Sequence, residues 1–377
     1  MIQELARVPR VTLGAGSRSR IGRLVAQHGQ RALLVIDQAL DQAGFGDEVD
    51  AALRASGVAV VRFHEFAPDP RLADVDMAVA VAKGFAADSV VAVGGGSALD
   101  LGKAVAAIAG GGASAAAYDL CARDFPVPRL RMLCVPTTAG TGAEMTRTAV
   151  LTRPDGSKTW LWGDAVKADD VVLDPELTLG LPPALTAATG LDALVHAVEA
   201  ATNRKASAEN TLHAHAAIRL VATSLPRAVA VGSDLVARAS MQRAAMLAGM
   251  AIDNAGTAIA HAIGHALGSL RPIHHGQAVA LAMLATAEWN CRCDDGRWAA
   301  CAEALGAAGQ GFAQSFGDLL RAVGHPTSLG TVCADLDPAE LAERMRAPEN
   351  APMRAANWRE TSDADLLSIA RAVLDLR

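Results

Sequence analysis

Cysteine is scarce: 6 residues in a chain of 377, too few and too scattered for a disulfide framework. Cys291 and Cys293 stand one residue apart rather than the two of a zinc or redox pair, so no chemistry is assigned to them. Cys121 and Cys134 are expected to be buried thiols. An excess of one charge is also missing, since 34 basic residues face 40 acidic ones for a net charge of −6. Both signs are scattered along the chain, which argues against nucleic-acid and membrane-surface partners. Long apolar runs are lacking too. The stretch from Ala104 to Tyr118 is too short for a bilayer and is broken by Gly110, Gly111 and Gly112, and the run from Ala244 soon meets Asp253. The opening MIQELARVPR carries charge where a signal peptide needs its apolar region, so a cytoplasmic location is expected.

What is present is a globular composition. Hydrophobic residues make up 51% and charged ones 20%, enough apolar surface to offset chain entropy. Much of the apolar count is alanine, a strong helix former, and the length suits two domains of about 150 residues each.

The first half alternates β-branched runs (32–36, 58–63, 89–93, 131–135, 149–152) with helical stretches (38–43, 72–85). That is the rhythm of βαβ units in a mostly parallel sheet. From about Leu181 the β runs stop and helical spacing continues to the end; Leu173–Pro183 supplies the Pro and Gly of a junction. The expected fold class is α/β: an N-terminal Rossmann-like, mostly parallel sheet domain over 1–178, followed by a C-terminal all-helical domain over 179–377.

Two turns in the first half are glycine-rich. Val90–Val93 runs into Gly94, Gly95, Gly96 and Ser97, with a helix expected to open at Ala98. Free amides at such a helix start favour a phosphate, although neither GxGxxG nor a Walker lysine pattern is present; a ligand-free βα turn is the bland alternative. Pro136–Glu144 follows another strand and gathers Thr137, Thr138, Thr141 and two glycines at a strand's carboxyl end, where open α/β sheets bind ligands. Asp37, ending the first long strand, could read the adenosine ribose and select NAD over NADP, or simply cap the helix that follows.

The strongest chemical signal lies in the helical half. Asp192 and His196 are four apart and share a helix face; His261 and His265 repeat that spacing, and His274 and His275 follow a turn. One carboxylate with three imidazoles suits Fe²⁺ or Zn²⁺ rather than Mg²⁺ or Ca²⁺, leaving one histidine for proton transfer. His213 and His215, two apart, cannot share a face, and His28, His64 and His325 stand alone.

At these residues, from about Gly14 to Arg359, the sequence resembles the iron-dependent, group III alcohol dehydrogenases, whose fold is shared with glycerol dehydrogenase and dehydroquinate synthase. The resemblance rests on GGGSALDLGK (Gly94–Lys103, with Asp100), PTTAGTGAEMT (Pro136–Thr146), Leu173–Pro182, Asp192 with His196, and the H-x3-H-x9-HG pattern of His261, His265 and His275. It implies that Asp192, His196, His261 and His275 hold Fe²⁺ (or Zn²⁺). It further implies that Gly94, Gly95, Gly96, Ser97, Asp100, Thr137, Thr138 and Thr141 bind NAD with Asp37 on the ribose. Lys158 then lies near the nicotinamide ribose and His265 relays the proton. The implied protein is a homodimer with a cleft between its domains, acting as an NAD-linked alcohol dehydrogenase or aldehyde reductase on a small-molecule substrate. A maleylacetate reductase, whose relatives usually lack the aspartate at 192, a dehydroquinate synthase-type lyase and a non-enzymatic metal scaffold are the alternatives. Asp69 where asparagine is common, Asn357-Trp358-Arg359 for Asn-Pro-Arg, His274, Trp160 and Trp162 depart from the family's usual pattern and are expected around the substrate cleft.

Overall fold

The computed structural model describes residues 4–307 and 309–376. The chain divides into two compact units. One holds Arg7–Thr138 and Ala143–Thr178; the other holds Ala139–Gly142 and the described residues before Arg7 and from Leu179 onward.

The first unit is built on a six-stranded sheet among the described residues. Its strands are β1 (Arg10–Leu13), β2 (Arg31–Ile36), β3 (Ala59–Phe63), β4 (Ser89–Gly94), β5 (Arg131–Pro136) and β8 (Asp170–Leu173). The order is β1-β8-β5-β4-β2-β3, parallel throughout. Strands β4 and β8 are buried along their whole length and β2 at all but its first residue. Such strands read as continuous β-branched runs because both sheet faces are covered. The cover includes helices α1 (Ile21–Ala26), α2 (Gln38–Gln42), α3 (Phe45–Ala55), α4 (Leu72–Gly84) and α5 (Gly96–Ile108), the last beginning two residues earlier than the sequence suggests. Strands β6 (Thr148–Thr152) and β7 (Lys158–Trp162) form a separate antiparallel hairpin. Cys134 is buried in β5, but Cys121 is half-exposed. It ends the 3-10 segment Ala115–Cys121 with a φ of 61°, away from the sheet core, so the expected burial holds for one of the two.

The second unit is helical: α6 (Pro183–Thr202), α7 (Ala208–Ala230), α8 (Leu235–Ala255), α9 (Ile259–Leu270), α10 (His275–Cys291), then α11 (Arg297–Ala304), α12 (Phe312–Ala322), α13 (Pro338–Arg346), α14 (Ala351–Ala356) and α15 (Asp363–Leu374). Pro183 begins α6 where its missing N–H leaves nothing unsatisfied. From Thr186 to Thr202 every residue of α6 is buried, so this helix is the axis of the unit. Alanines on α6, α7, α8, α9 and α10 recur throughout the core around it, between larger Leu, Val, Ile and Met side chains.

In the first unit, Lys103 of α5 is fully buried and ties α5 to the segment before the hairpin. Its ammonium donates to the Ala143 carbonyl at 2.7 Å, to Asp100 Oδ1 at 3.1 Å, to Thr146 Oγ1 at 3.3 Å and to the Thr148 carbonyl. Removing one partner of a buried ion pair strands the other. Lys103→Met is therefore expected to destabilise the protein by about 3–5 kcal/mol in denaturant unfolding, and a loss under about 1 kcal/mol would contradict this account.

Candidate active site

The sheet order creates a crevice. From β2 the chain moves to β3 on one side and from β4 to β5 on the other, so the carboxyl ends of neighbouring β2 and β4 lie at a topological switch point. Asp37 follows β2 and Gly94–Gly96 follow β4. Gly94 has φ +150°, and a Cβ there would fall 2.8 Å from Asp37 Oδ2 and 2.7 Å from Ala98 Cβ, so a side chain is excluded twice over. Asp37 makes no side-chain cap to α2. Burial pushes its pKa up, opposed by the hydrogen bond it accepts from the Gly95 backbone. The carboxylate thus turns away from α2 and toward the start of α5.

The threonine turn meets the glycine turn. The Thr137 amide donates to the Gly94 carbonyl at 2.9 Å, and a Cβ on Gly95 would lie 3.5 Å from Thr138 Cγ2. Ser97 Oγ accepts from the Asp69 amide at 3.1 Å. Asp69, at φ 58°, pairs with Lys158 Nζ at 2.8 Å, and Lys158 also donates to Thr152 Oγ1 at 3.3 Å. The structure therefore brings Asp37, Gly94–Gly96, Ser97, Thr137 and Thr138 to one end of the sheet, with Lys158 joined to them through Asp69. Asp100 is differently engaged, its two oxygens accepting from Lys103 and from the Val150 amide at 3.0 Å. Thr141 lies in Ala139–Gly142, which belongs with the helices although the sequence reading placed it in the sheet domain. The physical reason is close packing: a Cβ on Gly140 would fall 2.6 Å from the Thr189 carbonyl oxygen of α6, and one on Gly142 2.7 Å from Gly249 Cα of α8.

The metal-ligand candidates converge in the helical unit. Asp192 and His196 lie one turn apart on α6, His261 on α9, and His275 is the first residue of α10. One ligand atom each from Asp192, His261 and His275 lies within 4.8 Å of the others. Around Asp192 Oδ1 stand His261 Nε2 at 3.5 Å, His196 Nδ1 at 3.7 Å and His275 Nε2 at 3.8 Å. The His196 ring stacks 4.3 Å from that of His261. Among the described residues, Asp192 Oδ1, His196 Nδ1 and His261 Nε2 are buried without a hydrogen-bond partner. Orphaned polar atoms in an apolar core are costly. Nitrogen and carboxylate donors facing one point fit a borderline divalent cation, which would satisfy all of them together.

The electrostatics divide the imidazoles. Burial would raise Asp192, yet His196, His261 and His275 hold its carboxyl below the usual range. Burial drives His196 down to about 3, leaving it neutral and free to ligate. Burial also works against a charged His261, but Glu199 and Asp192 outweigh it and lift that imidazole to about 9. The site is open on one side, since the His275 side chain is 34% exposed against 7% or less for the other three. The His265 ring lies 5.5 Å from that of His275.

Two family models match the chain: iron-containing alcohol dehydrogenase over residues 9–175, and the C-terminal part of the Fe-containing alcohol dehydrogenase family over residues 186–374. The chain belongs to the iron-containing alcohol dehydrogenase family. It is 41% identical over 272 residues to long-chain-alcohol dehydrogenase 1 of Geobacillus thermodenitrificans, covering 71% of this chain and 69% of that one. It is 38% identical over 284 residues to 1,3-propanediol dehydrogenase of Klebsiella pneumoniae, covering 74% and 72%. A crystal structure of 1,3-propanediol oxidoreductase superimposes with a TM-score of 0.91 at 31% identity over 99% of this chain and 100% of that one. Sulfoacetaldehyde reductase from Bifidobacterium kashiwanohense, solved in complex with NAD⁺, gives 0.89 at 29% identity over 100% and 99%. This iron-containing alcohol dehydrogenase family member is accordingly an oxidoreductase acting on alcohols.

Within the family frame, one expectation fails. Trp358 Nε1 donates to the Cys293 carbonyl at 3.1 Å and Arg359 Nη1 to the Trp289 carbonyl at 2.6 Å, while Asn357 holds Asn290 at 3.0 Å. These residues tie down the far end of α10, roughly 20 Å along the helix from His275 at ~1.5 Å per residue. Their departure from the usual pattern lies outside the metal centre. Glu199 was missed, although its place three residues after His196 puts it on the same face of α6.

The glycine after His275 has a local cause. A Cβ on Gly276 would meet the Ala188 carbonyl oxygen of α6 at 2.4 Å. Gly276→Ala should push the start of α10 away from Asp192 and weaken Zn²⁺ binding on the order of tenfold in a chelator competition. Unchanged affinity would mean that His275 is not placed by this contact.

Proposed function

We propose that this chain is a metal-dependent, NAD-linked alcohol dehydrogenase that also works as an aldehyde reductase on small substrates. The observation that carries the reading is the set of orphaned, buried donor atoms of Asp192, His196 and His261 beside the half-exposed His275. These four would hold Fe²⁺ or Zn²⁺, which when bound supplies Lewis-acid polarisation of a substrate oxygen.

The other residues bind, orient and move the proton. Gly94–Gly96 and Ser97 offer backbone amides at the start of α5 to the pyrophosphate. Asp37 accepts from ribose hydroxyls and repels a 2′-phosphate, selecting NAD. Thr137, Thr138, Thr141 and Asp100 extend the cofactor site, and Lys158 with Asp69 addresses the nicotinamide ribose. NAD held by these residues would supply the hydride acceptor for alcohol oxidation and, reduced, the donor for aldehyde reduction, and His265 would take up or return the hydroxyl proton. Imidazole suits that role near neutral pH. The chain is further proposed to be a cytoplasmic homodimer. In support, the six cysteines are all free thiols, as a reducing compartment would leave them, and β1 at the sheet edge presents an open row of backbone groups. No helix among the described residues is long and apolar enough to cross a membrane.

The test follows NADH absorbance with metal-stripped protein against short aldehydes and hydroxyketones, before and after anaerobic Fe²⁺ or Zn²⁺, with NADPH in parallel. Stoichiometric, metal-dependent NADH consumption is expected. NADH that binds and is never consumed would favour the lyase-type alternative. His265→Ala is expected to slow turnover by about 10²–10⁴ with the metal content unchanged, and loss of metal from that variant would make His265 a ligand instead. Asp37→Ser is expected to raise the kcat/KM ratio of NADPH to NADH on the order of tenfold; no change in that ratio would remove Asp37 from cofactor selection.

A further inference from the structure

We infer that Glu199 is the positioning residue of the metal centre, holding His261 in the one tautomer that presents Nε2 to the ion while capping the helix that carries it. The inference rests on the metal-site reading above.

Glu199 belongs to the same face of α6 as Asp192 and His196, at offsets of seven and three residues. It is 2% exposed. Its carboxylate is surrounded by three donors, all from the start of α9. Oε2 lies 2.6 Å from His261 Nδ1 and accepts from the Ala258 amide at 2.6 Å, while Oε1 accepts from the Ala260 amide at 2.7 Å.

Two consequences follow from this geometry. The residue at the N-cap of α9 is Ala258, which makes no side-chain cap. Two amides at the helix start are therefore satisfied from α6 instead, by a negative charge placed at the positive end of the helix dipole. The second consequence concerns the imidazole. An ionised carboxylate can only accept, so Nδ1 of His261 must donate, and Nε2, 3.5 Å from Asp192 Oδ1, is the nitrogen that would give up its proton to take an ion. A carboxylate behind a ligating imidazole fixes ring orientation and raises ligand basicity. Glu199 thus joins one ligand-bearing helix to another, and a shift of its carboxylate would move His261 relative to Asp192 and His196.

A residue that merely capped α9 would have no preference for acting through His261, and a double-mutant cycle separates the two roles. Zn²⁺ affinity of the full chain is measured by competition with a chromophoric chelator for the native protein, Glu199→Gln, His261→Ala and the double variant. In Glu199→Gln an amide donor replaces an acceptor among three donors. The expected result is a 10- to 100-fold loss of Zn²⁺ affinity in the native background, shrinking to less than about threefold once His261 is alanine. No loss in the native background, or an equal loss in both backgrounds, would overturn the proposal and leave Glu199 as a cap alone. If Glu199→Gln does not fold, Glu199→Asp, which withdraws the carboxylate by one methylene, is carried through the same cycle. Failure of both variants to fold would assign Glu199 to the fold and overturn its positioning role. A native protein that binds no Zn²⁺ would overturn the metal-site reading itself, an outcome distinct from a native protein that binds Zn²⁺ indifferently to Glu199.

Discussion

The helical unit depends on one unfavourable act, the burial of a carboxylate and several imidazoles along an axis helix whose residues from Thr186 to Thr202 are all enclosed. An apolar interior tolerates such groups when they are hydrogen-bonded or bound to a cation. Here Glu199 has its donors within α9, but Asp192 Oδ1, His196 Nδ1 and His261 Nε2 do not. The packing around them follows from that choice. Small residues let α9 and α10 approach α6, and Gly276 admits the Ala188 carbonyl at a distance no side chain would allow.

The sheet unit is shaped by a different constraint, a bare backbone turn at the carboxyl end of its central strands. Its strand order sends the chain outward in opposite directions from β2 and β4, which leaves a crevice at their carboxyl ends. Gly94 keeps that crevice free of side chain, and Asp37 stands beside it without capping α2. Lys158 reaches the same neighbourhood because Asp69 clasps it and Ser97 at once.

Much of this was legible in the sequence, for stated physical reasons. Spacings of four are unambiguous once a helix is granted, so Asp192 with His196 and His261 with His265 could be placed on helix faces. Long buried strands announced themselves as β-branched runs. Strands β1 and β8, of four residues each, carry too few residues to show a period, and β7 hides its pattern behind lysine and tryptophan. Glu199 was legible in principle, since its offset from Asp192 is two helical turns, but only the fold reveals that α9 begins opposite it. No periodicity could show that Asn357, Trp358 and Arg359 close the end of α10 rather than the site. That Asp37 makes no side-chain cap to α2 likewise needed side-chain geometry.

The central claim is that one borderline metal ion is held by three imidazoles and one carboxylate. Zinc K-edge X-ray absorption on the Zn²⁺-loaded full chain tests it most directly, because imidazole rings give multiple-scattering features that carboxylates and thiolates lack. The account predicts a nitrogen and oxygen shell with about three imidazole ligands and Zn–N near 2.0–2.1 Å. A shell containing sulfur, or one of oxygen without imidazole scattering, would contradict it.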